Sequence, residues 1–431
     1  MPVEITRSQA RQVRQQLLNS PVAPGIYSHF INAGTDQLLN VLEKQYFRSD
    51  LAEGISCFKY LEGDYGTGKT QFIHSLAQTA NNNNIVTAIV NIGQECPFNS
   101  PKAIFKSIMC SFLPPRPGDN PFPEKGIEVL ILDWIQQKMQ EMGSGDGGQV
   151  PDAVRREIER LLGGLWTGAP DQQMASALAG LGRRLLAIEC GSNHTVVDQE
   201  LISWLRGDAV KSKALKDQFG LYESVRDETA FRRLKTVIGF LRKRMGYQGF
   251  FVAFDEGYRT SSFRRGSVAQ RQAIENMLTM INENAEGQFA GVMFLYSATP
   301  DLRNDVISRT YQALNDRIGT VAWLPGCPMT PLIVLDEYNK PEIMAQIGER
   351  LLDVFAKAGN LSWDQAIQKE NLNRIIEAEI NRWAPLRVPI RNFVYHYCHF
   401  LVQQENTQNI VTPESALDFV EGQRVPERED N

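Results

Sequence analysis

Eight consecutive residues, Gly63, Asp64, Tyr65, Gly66, Thr67, Gly68, Lys69 and Thr70, follow the spacing G-x-x-x-x-G-K-[ST]. That arrangement is built to hold a chain of phosphates. Its glycines let the backbone turn so that successive N–H groups point inward, and the helix that follows adds the positive end of its dipole. Lys69 would set a point charge on the β- and γ-phosphates, and the Thr70 hydroxyl would coordinate Mg2+. Background residue usage yields about 0.02 such matches by chance over this length. The loop therefore predicts binding of a nucleoside triphosphate with Mg2+, and by itself does not choose between ATP and GTP.

Hydrolysis needs acids beside that loop. The apolar run Phe250–Phe254 ends in Asp255 and Glu256. Asp255 would orient Mg2+, and Glu256 would act as general base on the attacking water. A second apolar run from Gly291 to Tyr296 ends in Ser297, Ala298 and Thr299, followed by Pro300. Ser297 or Thr299 would hold that water near the γ-phosphate, and the sequence does not choose between them. Charge building on the γ-oxygens calls for a cation. Arg317, one helix further on, is a candidate to reach a neighbouring subunit's nucleotide, with Arg303 and Arg309 as rivals. Arg391, near the C-terminus, would close over the nucleotide from a helical region.

Those groups need a scaffold that brings distant segments to one edge. Ser56–Leu61, Ile85–Asn91, Phe250–Phe254 and Ala290–Tyr296 read as strands, and Val321–Leu324 or Leu332–Leu335 supplies a fifth. Helical patterns over 70–80, 101–112 and 267–284 alternate with them. Continuous apolar strands separated by helices predict an α/β fold with a parallel sheet covered on both faces. Before the first strand, 7–20 and 36–46 carry helical periodicity. After Gly143–Gly148, the stretch to about 245 reads as entirely helical. Beyond Lys340 the pattern is helix only, over 341–358, 362–382 and 389–404. The expected organisation is an N-terminal helical segment at 1–50 and a nucleotide-binding core at 51–336 with a helical insertion at about 113–245. A C-terminal all-helical lid and tail would occupy 337–431.

Taken together, the loop, acid strand, hydroxyl strand and helical lid resemble the AAA+ P-loop ATPases, in the branch of origin-recognition and initiator proteins. Tyr60–Thr70, Asp255–Gly257, Tyr296–Pro300 and Tyr311–Leu314 look more closely like the BrxD family of P-loop proteins from BREX phage-defence systems. That resemblance implies ATP with Mg2+ as the ligands and a cytoplasmic bacterial ATPase. It also implies a homo-oligomer working with other defence-system proteins on DNA or a DNA-bound complex. A nucleotide-gated scaffold with little turnover is the competing reading; the Asp255–Glu256 pair favours hydrolysis, because a pure switch needs no general base.

The 431 residues are 42% hydrophobic and 22% charged, with 45 basic and 50 acidic side chains for a net −5. This profile excludes a disordered chain and a uniformly basic nucleic-acid coat. No apolar run approaches the roughly 20 residues of a membrane span, and Met1–Gln15 carries no apolar signal core. Between Arg232 and Arg271, however, ten Lys/Arg face two acids. Arg264 and Arg265 in that stretch are candidates for double-stranded DNA phosphates. Six scattered cysteines read as buried reduced thiols, and His396, Cys398 and His399 as ordinary histidine and cysteine positions with no metal. Asn81–Asn84 reads as a solvent loop and Val425–Asn431 as a frayed end.

Overall fold

The computed structural model describes residues 5–19, 23–115, 123–143, 150–163, 166–257, 263, 266–319, 330–338, 341–423 and 425. At its centre are β1 (Cys57–Glu62), β2 (Ile85–Asn91), β3 (Phe112–Leu113), β4 (Gly249–Asp255), β5 (Val292–Ala298) and β6 (Leu332–Val334). They form one sheet in the order β3-β2-β4-β5-β1-β6. Every pairing is parallel except that of β2 with β3. Helices cover both faces, which is why β4 and β5 are buried along their whole lengths.

Helices α1 (Arg7–Asn19), α2 (Asp36–Leu42) and α3 (Leu51–Glu53) precede the sheet. Next to β2 lie α4 (Lys69–Asn81) and α5 (Pro101–Ser111); Ser100 caps α5 by accepting the Ala103 N–H, with proline in the first turn. Between β3 and β4 run α6 (Ile127–Glu141), α7 (Asp152–Leu162), α8 (Gln172–Glu189), α9 (Val196–Leu205), α10 (Lys213–Phe219) and α11 (Asp227–Met245). α12 (Val268–Ala285) leads into β5, and α13 (Ser308–Thr310) and α14 (Gln312–Ile318) follow it. After β6 come α15 (Pro341–Gly359), α16 (Gln365–Trp383), α17 (Ile390–Thr407) and α18 (Pro413–Gly422).

Strand alternation divides the core. Tyr60, Val252, Phe254, Phe294 and Tyr296 face the side packed by α5, α6, α8, α11 and α12. Leu61, Phe251, Ala253, Met293 and Leu295 face the other side, against Phe72, Ile73 and Leu76 of α4 and Leu38 and Leu42 of α2. A third cluster joins Ala10, Val13 and Leu17 of α1 to Leu351, Phe355, Phe393 and Tyr397. The first helix thus packs against α15 and α17, the last third of the chain. Nothing in its polar, Arg- and Gln-rich sequence pointed to that partner, because its buried face is only one narrow stripe.

Several local expectations change. Of the two candidate fifth strands, Leu332–Val334 pairs with β1; residues 321–324 lie outside the described residues. The antiparallel strand β3 has no counterpart in the sequence pattern, since two residues leave no period to read. Asn81 is not in a solvent loop: it is buried as the last residue of α4, and Asn84 turns the chain with φ +55°. Cys96 and Cys398 are buried as expected, whereas Cys57, Cys110 and Cys190 are only partly so, and all five are free. Cys327, residues 144–148 of the Gly-rich break and most of the 425–431 tail lie outside the described residues. His396 is fully buried against Glu379, and no described group of His, Cys, Asp or Glu is placed to hold a metal by three ligands. No described helix is long and apolar enough to cross a membrane.

Candidate functional site

The C-terminal ends of β1, β4 and β5 meet at one edge of the sheet, where open α/β sheets place their ligands. From β1 the chain enters residues 63–68 and then α4. Gly66 and Gly68 adopt φ +80° and +93°, the left-handed region that favours glycine. A side chain on Gly66 would also lie 3.0 Å from Pro389. The loop closes on itself, with the Thr67 hydroxyl donating to the Asp64 carbonyl at 2.9 Å. Lys69 opens α4 and donates its ammonium to the carbonyls of Gly63 at 2.7 Å and Asp64 at 2.8 Å. Burial pushes the pKa of this ammonium down from the usual lysine value, while Asp255, Asp336 and Asp64 pull it back up.

At the tip of β4, the Thr70 hydroxyl donates to Asp255 Oδ2 at 2.6 Å, and the Glu256 N–H donates to Asp255 Oδ1 at 2.8 Å. Glu256 is buried, and its backbone sits at φ +61°, a conformation sparsely populated outside glycine. The next residue explains how this is held. A Cβ on Gly257 would come within 2.3 Å of the Ser297 carbonyl and 2.5 Å of the Tyr296 ring, so only glycine lets the turn lie flat on β5.

These elements enclose a cavity of about 160 Å3. Tyr65, Gly66, Gly68, Lys69 and Thr70 contribute the loop side; Asp255, Glu256 and Thr299 face them. Leu17, Ile31, Ile347, Ile390 and Val394 form an apolar wall from both ends of the chain. Arg391 completes it: its N–H donates to the Gly66 carbonyl at 3.1 Å and its guanidinium to the Tyr65 hydroxyl at 3.0 Å. The guanidinium carbon also lies 5.5 Å from the centroid of the Tyr65 ring.

The two candidate hydroxyls separate. Ser297 pairs in register with Leu61, inside the sheet, and its hydroxyl is buried with no hydrogen-bond partner among the described residues. Thr299 lies beyond the last register pair, Glu62 with Ala298, and so reaches the cavity. Arg317 does not line the cavity; it is exposed on α14 and donates to Asn282. Its rivals are engaged elsewhere, Arg303 with Glu62 at 2.8 Å and Arg309 with Asp305 at 2.8 Å.

Asp336 belongs to the site, although it falls in no motif. Its carboxylate accepts the Asp64 N–H at 2.9 Å, its carbonyl accepts Arg387 at 2.9 Å, and burial raises its pKa from the ordinary aspartate value. The available signal was an acid directly after the short apolar run Leu332–Leu335, the same grammar that marks Asp255 after Phe250–Phe254.

Four of the ten basic residues are paired within the molecule. Arg232 and Arg233 bond Asp171 at 3.1 and 3.3 Å, Lys235 bonds Glu283 at 2.8 Å, and Arg242 donates to backbone carbonyls including that of Gln248 at 3.0 Å. Arg264 and Arg265 lie outside the described residues.

A protein-family model described as BREX system ATP-binding protein BrxC/D matches residues 5–418. No curated protein and no solved structure matches the chain.

Proposed function

The chain belongs to the BrxC/D family of BREX-system ATP-binding proteins, and from that premise we propose that it hydrolyses ATP as an AAA+ enzyme of the initiator-like branch. The observation that carries this reading is the 2.6 Å contact between Thr70 and Asp255, with Glu256 beside it on the cavity wall. It joins the first turn after the phosphate loop to a carboxylate-tipped strand nearly 200 positions away in sequence. A site that merely grips phosphate has no use for two acids there.

The same pair fits Mg2+, which favours hard oxygen donors and is commonly held by one or two carboxylates together with substrate phosphates. When bound, the ion neutralises charge on the β- and γ-phosphates. Asp255 and Thr70 would hold it, Lys69 would move from the loop carbonyls to the phosphates, and Glu256 would accept a proton from the attacking water. Thr299 would orient that water. The apolar wall suits a base and ribose. At about 160 Å3 the cavity is smaller than the roughly 300 Å3 at which ligand pockets begin. Nucleotide entry would therefore loosen the Arg391–Tyr65 and Arg391–Gly66 contacts, coupling ATP to movement of the C-terminal helices, our proposed lid.

Arg317, exposed on α14, is our candidate for reaching the nucleotide of a neighbouring copy in a homo-oligomer. Arg264 and Arg265 remain the proposed contacts to double-stranded DNA or a DNA-bound defence complex. The contacts of Arg391 with Tyr65 and Gly66, which tie the C-terminal helices to the phosphate loop, also suit a second reading, a nucleotide-gated scaffold that recruits partners and turns over little.

Phosphate release from ATP decides between them. Hydrolysis predicts release that saturates with ATP and stops when EDTA removes magnesium; ATP binding with release at buffer background would establish the scaffold. The hydroxyl assignment gives a separate expectation. Thr299→Val should slow turnover on the order of 100-fold if it positions the reacting water. Ser297→Ala should leave turnover unchanged and keep or raise the melting temperature, since it removes a buried hydroxyl that bonds to nothing among the described residues. Equal losses in both variants would reject the distinction.

A further inference from the structure

The helices between β3 and β4 hold a second cleft, of about 340 Å3, whose lining shares no residue with the first. One helix, α8, supplies Ala175, Ala179 and Arg183; α11 supplies Phe240 and Arg244; Trp166 closes one side. Trp166 is seated firmly. Its ring packs on Gly239, where a Cβ would lie 2.5 Å away, and the Gln172 amide donates to its carbonyl at 3.0 Å. Lys243 places its ammonium 5.1 Å from the centroid of the same ring.

The arginines of this region are otherwise accounted for. Arg155, Arg160, Arg184, Arg206, Arg226, Arg232 and Arg233 each pair with a carboxylate. Arg156 and Arg242 donate to backbone carbonyls. From Arg155 to Arg244, and among the described residues, only Arg183 and Arg244 have no ion pair or hydrogen bond, and both line this cleft. No acid lines it. The two polar neutral residues are committed, Gln172 to the Trp166 turn and Ser176 to the Phe219 carbonyl at 3.1 Å.

Two guanidiniums line the same cleft as an aromatic ring that an ammonium overlies, with no carboxylate in the lining, a combination suited to an anion. Guanidinium forks match phosphate oxygens bidentately, and three cations exceed what one carboxylate would balance. The volume falls within the roughly 300–1,000 Å3 of small-ligand sites, and aromatic rings beside cations are the usual platform for bases. We propose that this cleft binds the phosphate of a nucleotide unit between Arg183 and Arg244, with its base against Trp166. The unit is either a free mononucleotide or one position of a single strand. The proposal does not rest on the phosphate loop or on hydrolysis.

The test uses full-length protein carrying Lys69→Ala, so that the first site contributes little, with fluorescein-labelled dT12 and AMP as separate probes. Binding of at least one probe is expected, weakened tenfold or more by Arg183→Ala with Arg244→Ala and largely restored when both positions are lysine. For dT12 the salt slope should fall by about 0.7 for each phosphate that the variant no longer neutralises. Binding of dT12 alone identifies a strand as the source, and binding of AMP alone a free nucleotide. Because neither arginine makes an ion pair or a hydrogen bond among the described residues, the melting temperature should hold. The proposal is overturned if neither probe binds, if the double variant binds as tightly as its parent, or if a twelve-residue poly-Glu peptide competes as well as dT12. That last result would mark an acidic-peptide site.

Discussion

Lys69→Ala abolishes the stabilisation that ATP gives this protein. A ligand that binds only the folded state adds about 2.7 kcal/mol when present at 100 times its dissociation constant. For a chain of this size that is a rise of roughly 5 °C or less in the melting temperature. The side chain responsible is partly buried, and among the described residues its ammonium is satisfied by the carbonyls of Gly63 and Asp64. Those carbonyls belong to a loop that water can reach once the lysine is gone, so the apo protein should melt close to wild type. The nucleotide, in contrast, loses the one cation of the loop that can follow its β- and γ-phosphates. Thermal melts with and without ATP check this, and an undiminished shift in the variant contradicts the assignment of the loop.

Glu256→Gln leaves that shift in place and removes turnover. Glutamine has nearly the volume of glutamate, so the buried pocket between β4 and β5 is neither emptied nor overfilled. What changes is basicity. An amide cannot take a proton from water, and a positioned general base contributes about 100- to 10,000-fold to rate. The backbone at φ +61° directs this side chain to the cavity wall, and the strain of such a conformation is typical of positions retained for function. Phosphate release and ATP-induced melting shifts, measured on the same preparation, separate base from binding. Wild-type turnover in the variant would remove Glu256 from the chemistry; loss of the thermal shift would place it in binding instead.

These two expected results would divide the site into a half that grips phosphate and a half that acts on it. Between these halves stands Arg391, whose contacts to Tyr65 and Gly66 tie the C-terminal helices to the loop. Tyr65 is more than half exposed, unusual for a large aromatic, and the arginine packs against its ring. In the proposed cycle, entry of ATP would part Tyr65 from Arg391 and so move the C-terminal helices.

Local chemistry was legible in the residues. Glycine spacing dictates a backbone able to turn amides inward, and residues 63–68 lie between a strand and the helix that Lys69 and Thr70 open, as their pattern requires. Apolar runs as long as Phe250–Phe254 have to be buried on both faces, which made β4 and β5 readable along with the acids and hydroxyls at their tips. The bounds of β2 and the alternation of strand and helix followed from the same rule. Periodicity records how one segment meets its surroundings, and these segments meet the core directly.

Distance in sequence hid the rest. Whether Ser297 or Thr299 reaches the cavity depends on where β5 runs out against β1, a matter of register that neither hydroxyl reveals. The exposure of Arg317, the pairing of Arg232, Arg233 and Lys235 with acids up to 62 positions away, and the docking of α1 on α15 are likewise properties of pairs. Asp336 enters the site only because β6 pairs with β1 and carries it to the Asp64 N–H. A one-dimensional pattern reports the environment a residue demands; which partner supplies it is settled when the chain closes its long loops, and that is where the tertiary structure decided this site.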